Sequence, residues 1–132
     1  MNTRPGEHHK DTERGQSLVE FGLTLTVFLM ILMLIFDMGR GVYAYSVIAA
    51  AAGEGARYGI VHPTDTAGII TATKARVHGL DFSKMTVNVT WPDSSHIEVQ
   101  VIYDFYAVSP LIDAAFQPNG YLRLQTAARM RM

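Results

Sequence analysis

Glu20 is the ionisable residue whose setting in this sequence is hardest to reconcile with its chemistry. It stands at the head of FGLTLTVFLMILMLIF, Phe21 to Phe36, sixteen consecutive residues without a charge. A carboxylate within a membrane helix costs roughly 2.5–3.5 kcal/mol or more unless a partner meets it. Five residues before Glu20 lies Gly15, and directly before that Arg14. Glycine has no Cβ, so the backbone there is sterically unhindered. Basic residues in the preceding segment would hold that end on the cytoplasmic side. Glu20 is thus left in need of a partner.

Other kinds of chemistry find little support. The chain has no cysteine, which excludes disulfides, thiolate metal sites and a cysteine nucleophile. His62, His78 and His96 are scattered without metal-ligand spacing, and His8-His9 lies in the polar N-terminal segment. No phosphate loop, Gly-x-Ser-x-Gly or placed carboxylate pair occurs, so neither an enzyme nor a cofactor is expected. A net charge of −1 and a pI near 6.5 give no basic footprint for nucleic acid.

Arg14-Gly15-Gln16-Ser17-Leu18-Val19-Glu20-Phe21 resembles the processing site of type IV prepilins. That resemblance implies cleavage between Gly15 and Gln16 by a prepilin peptidase. It also implies pairing of Glu20, next to Phe21, with the freed α-ammonium group of a neighbouring subunit. Further on, Asp37-Met38-Gly39-Arg40 and the stretch AAAAGEGAR, Ala49 to Arg57, extend the likeness to the TadE-like family of tight-adherence (Flp) pilus systems. The family implies a pseudopilin whose partners are other Tad/Flp pilins, assembly proteins and membrane lipid. One departure is Thr24-Leu25-Thr26-Val27, where many relatives carry a proline, so no kink is expected here.

The elements that would position these residues follow from periodicity. With Leu18 and Val19 the apolar run approaches the length of a single membrane span. Arg4, Lys10 and Arg14 precede it, and Asp37 and Arg40 follow as a membrane-exit pair. The charge bias puts the N-terminus in the cytoplasm and the head outside; the resemblance implies a single-pass protein of the inner membrane, or an extracellular pilus after assembly. No proline interrupts Gly41 to Gly59, so the helix should continue from about Gln16 to Tyr58, with Tyr45, Ile48, Ala49, Ala52 and Ala56 at helical spacing. Glu54 and Arg57 could pair on its surface.

Three regions are expected: a leader over 1–15, polar and without period; the membrane helix and its extension over 16–60; and a head over 61–132. In the head, Thr64 or Asp65 caps a helix from Thr66 to His78 that Gly79 stops. Its inward positions are Ile69, Ile70, Thr73 and Val77. Alternation then predicts a hairpin, with Met85, Val87, Val89 and Trp91 inward on one strand and Ile97, Val99, Val101, Tyr103 and Phe105 on the next, joined by a turn at Pro92-Asp93-Ser94-Ser95. A short helix from Pro110 to Phe116, capped by Ser109, and a turn at Pro118-Asn119-Gly120 lead to a last strand. There Leu122, Leu124, Thr126, Ala128 and Met130 face in, and Arg123, Arg129 and Arg131 face out. The fold class is α+β: a long N-terminal transmembrane helix extending into a head of one further helix and a three-stranded antiparallel sheet. Two other roles suit the same layout, an uncut membrane scaffold of the apparatus and a binding module using Tyr103, Phe105, Tyr106, Phe116 and Tyr121.

Overall fold

The computed structural model describes residues 7–116 and 120–132, the side chains of 7–14, 113 and 116 excepted. Helix α1 (Glu7–Val61) is followed by α2 (Thr66–Ala75), a 3-10 turn (Phe82–Lys84), β1 (Met85–Asp93), β2 (His96–Phe105), α3 (Pro110–Phe116) and β3 (Leu122–Arg131). The class is α+β, as the periodicity predicts. Helix α1 has 55 residues, roughly 82 Å at about 1.5 Å per residue. It starts at Glu7, before the expected Gln16, so residues 7–15, within the segment expected to be a leader, are helical. Arg4 and the first six residues lie outside the described residues, as do Pro118 and Asn119 of the last turn. Thr24 and Thr26 return their hydroxyls to the carbonyls of Glu20 and Gly22 at 2.9 and 2.8 Å, and the helix passes through them unbroken.

The sheet is an antiparallel meander in the order β1-β2-β3. Val87 pairs with Val101, Val89 with Val99, Val99 with Ala128 and Tyr103 with Leu124. Central β2 alternates as predicted, with Ile97, Val99, Val101, Tyr103 and Phe105 buried. Two edge expectations fail for physical reasons. Trp91 is exposed because the register shifts between Thr90 and Asp93, where Pro92 has no amide to continue the ladder. Leu122 is exposed because it lies at the end of the sheet, where it pairs with Phe105 beside Met38 and Val42.

The sheet packs on α1 through the smallest residues of the chain. Ala44, Ala51, Ala52 and Ala56 are buried around Ile48, whereas Tyr45 is exposed. A Cβ on Gly59 would meet Ile97, one on Gly55 would meet Thr73 and Val99, and one on Gly41 would touch Phe105. Strand β2 therefore runs down α1 from Gly59 toward Gly41, in the direction of the apolar run. The hairpin tip at residues 93–96 is the far end.

Helix α2 is capped by Asp65, which accepts from the Gly68 amide at 2.9 Å. It ends at Ala75, short of the expected His78, and Gly79 takes the left-handed φ of +73°. Val77 still reaches the core, with Ile69 and Thr73, while Ile70 is half-buried. The Thr73 hydroxyl donates to the Ile69 carbonyl at 2.8 Å and fills the space that Gly55 leaves.

At the hairpin tip Asp93 accepts from the Ser95 amide and hydroxyl, both at 2.8 Å, and lies 2.8 Å from His96 Nδ1 and 3.3 Å from Arg129 Nη2. The hydrogen bonds from His96, from the Ser95 hydroxyl and from its amide hold the Asp93 carboxyl well below the usual carboxylate range.

Gly53 and Gly55 should respond oppositely to substitution. Gly53→Ala meets nothing within 4 Å and should stabilise the head by about 0.5–1 kcal/mol. Gly55→Val should destabilise it by about 1–3 kcal/mol; thermal melts in detergent would read both. Because the folded Asp93 carboxyl is depressed, its contribution is present above the unfolded value of 3.8 and fades as pH falls below it. Asp93→Asn should therefore melt lower than the parent chain at pH 6, and the gap should close as the pH drops below that value.

Candidate functional site

Most of the apolar side chains from Leu18 to Phe36 are exposed along α1. Leu18, Phe21, Leu23, Phe28, Ile35 and Phe36 are all exposed, and none of the most apolar eighteen-residue window of this helix is buried inside the fold. Burying a large apolar side chain is worth roughly 1.5–3 kcal/mol, so this stretch needs lipid or other helices around it. It is the one helix among the described residues long and apolar enough to cross a membrane, and it reads as a single-pass anchor.

Gly15, Gln16, Glu20 and Phe21 are exposed on consecutive turns of the same helix. Nothing stands within 4 Å of where a Gly15 Cβ would lie. The Gly15–Gln16 bond is sterically open yet helical, so a protease that binds extended chain must first unwind this turn. Glycine, with its low helix propensity, makes that unwinding cheaper.

Asp37 ends the uncharged run, and it is the one carboxylate buried among the described residues. It is 2% exposed. Its carboxylate accepts from the Val108 amide at 2.9 Å, from the Ser109 amide, and from Arg40 Nη1 at 3.0 Å. Ser109 in turn caps α3, accepting from the Ile112 amide at 3.3 Å, with Pro110 at the first helical position. The Arg40 guanidinium also lies 5.3 Å from the centre of the Phe105 ring. The expected Asp37–Arg40 pair is thus present, and it is part of a clamp that binds the helix to a segment 71 positions away. A buried charge tolerates this setting only with such donors around it.

The aromatic residues named from the sequence divide. Tyr103 and Phe105 belong to the core. Tyr106 and Tyr121 form a tilted pair 5.9 Å apart at the surface, with Lys84 4.3 Å over the first ring and the Arg123 guanidinium 5.5 Å over the second. The Phe116 side chain lies outside the described residues. His62 stacks on Tyr58 at 4.6 Å, and His96 joins Asp93. Among the described residues no group of three or more His, Asp and Glu is placed to hold a metal. Glu54 and Arg57 are exposed and form no ion pair among the described residues.

A long exposed apolar helix carrying a small α+β head defines a single-anchor membrane protein, and comparison with known families narrows the class. The family model described as TadE-like protein matches residues 15–57, from the glycine before the apolar run to the arginine that closes AAAAGEGAR. Over that segment the chain is similar to the TadE-like family, which suggests a protein associated with a Tad pilus. No curated protein and no solved structure gave a match.

Removing the Asp37 carboxylate leaves two amides and a guanidinium without their acceptor, a loss of about 1–3 kcal/mol. Asp37→Ala should speed hydrogen exchange at Val108, Ser109 and through α3 in detergent, while the amides of β2 stay protected. Asp37→Asn, which keeps one acceptor, should fall between.

Proposed function

We propose that the chain is a minor pilin or pseudopilin of a Tad (Flp) pilus-like system. It is inserted with its N-terminus in the cytoplasm, cut between Gly15 and Gln16 by a prepilin peptidase, and joins or primes a filament that serves adhesion or secretion. The observation that carries this reading is the bare apolar face of α1 immediately behind Gly15. It includes most of the run from Phe21 to Phe36 and continues above it through Met38, Val42 and Tyr45. A surface of that size matches lipid before assembly and other helices after it.

Glu20 fits the second state. Cleavage would create an α-ammonium group at Gln16, and in a bundle of staggered helices the carboxylate of one subunit can meet that group on the next. Pairing offsets the cost of placing Glu20 among apolar neighbours and fixes the stagger.

One observation favours a second reading. Helix α1 is continuous from Glu7 through Gly15, which suits an uncut scaffold that remains in the membrane with its leader attached. N-terminal sequencing of the protein from membranes separates the two, since processing predicts a start at Gln16 and the scaffold predicts the original N-terminus. Glu20→Ala should leave membrane insertion intact and reduce recovery with other Tad components by several-fold in pull-downs. Unchanged co-assembly would remove Glu20 from the interface.

A further inference from the structure

The reading of α1 as a membrane helix fixes the height of everything tied to Asp37. Strand β2 descends along α1, Phe105 arrives beside Gly41, and the next residues are drawn onto the Asp37 carboxylate. Val108 is 66% exposed. Together with Met33, Phe36, Asp37 and Arg40 it lines a cavity of about 240 Å³. Met33 and Phe36 belong to the uncharged run, so Val108 lies alongside the last turn of the lipid-facing helix, with exposed Leu111 following in α3.

A more polar recess lies beside this apolar foot. A cavity of about 290 Å³ is lined by Arg40, Tyr43, Lys84 and Tyr106 among others. Tyr43 donates to the His78 carbonyl at 3.1 Å, and Lys84 sits over the Tyr106 ring. Arg40, though paired with Asp37, keeps 54% of its side chain exposed. Apolar side chains lowest, then tyrosines and cations one to two turns higher, is the order that a bilayer interface selects.

We propose that the base of the head is a membrane-docking surface that takes a phospholipid bilayer as its partner. Val108 and Leu111 enter the interface, and Arg40 and Lys84 meet the phosphates of anionic lipids. The head is thereby seated on the membrane with its sheet upright and the hairpin tip farthest from lipid. This rests on α1 being an anchor, and the experiment separates the two claims.

The full chain has no cysteine, so Val108→Cys, Leu25→Cys and Ser94→Cys each give one site for a nitroxide. The labelled proteins are placed in vesicles of phosphatidylcholine, with and without phosphatidylglycerol. Collision with lipid-soluble oxygen and with a water-soluble nickel chelate is then measured. The Leu25→Cys label should favour oxygen and the Ser94→Cys label nickel. The Val108→Cys label should collide with nickel several-fold less than the hairpin label does, and less still in anionic vesicles. Lys84→Gln should abolish that anionic increment. A Val108→Cys label as open to nickel as the hairpin label, with Leu25→Cys still in lipid, overturns docking and leaves the anchor intact. A Leu25→Cys label open to nickel overturns both. A Val108→Cys label shielded from both reagents assigns the surface to a second copy of the chain and overturns the lipid partner. No difference between the two vesicle compositions overturns the phosphate contact.

Discussion

One helix here has to serve two solvents, and the point where they meet is Asp37. Below it, α1 presents large apolar side chains to the outside of the molecule. Above it, the same helix presents alanine and glycine to a sheet. A carboxylate at that boundary would be unstable in hydrocarbon and unneeded in water. The fold resolves this by turning the chain back after β2 so that two amides and Arg40 surround it. The head is therefore fixed to the helix at both ends, by close packing at Gly55 and Gly59 and by the Asp37 clamp at the end of the apolar run.

The two attachments differ in kind. The upper one is steric: small residues on α1 let β2 and α2 approach until Thr73, Ile97 and Val99 occupy the volume that larger side chains would fill. Its strength comes from burial along the whole face, and its specificity from the few positions where a Cβ does not fit. The lower one is polar and local, with a few donors converging on a single group. Together they orient the sheet along the helix axis, which places the exposed tyrosines and cations toward the apolar run and the Asp93 turn away from it. A head hung on the helix by one attachment alone would have no such orientation.

Much of this could be read from the sequence because it depends on local pattern. The uncharged block, the glycine and glutamate spacing, the period-two alternation of β2 and the caps at Asp65 and Ser109 are all set by neighbours close in the chain. The small-residue face of α1 was legible as well, although Tyr45 proved to lie off it. Trp91 was misplaced because Pro92 breaks the ladder beside it, a tertiary consequence that alternation does not register. The role of Asp37 was hidden for a different reason. Its sequence neighbours offered only Arg40, and its main partners arrive from a loop 71 positions later whose amides carry no side-chain signature. Tyr106 and Tyr121 were named from the sequence, but their pairing was not legible, since alternation does not extend across the segment containing α3 that separates them.

The central claim is that the stretch from Phe21 to Phe36 faces lipid or other helices and never the interior of its own fold. Sedimentation of the full chain after detergent removal tests it most directly. The account predicts that the protein either reconstitutes into added vesicles or associates through its helices and leaves the monomeric pool. A stable monomer in plain buffer, with the amides and side chains of that stretch protected inside a globule, would contradict it.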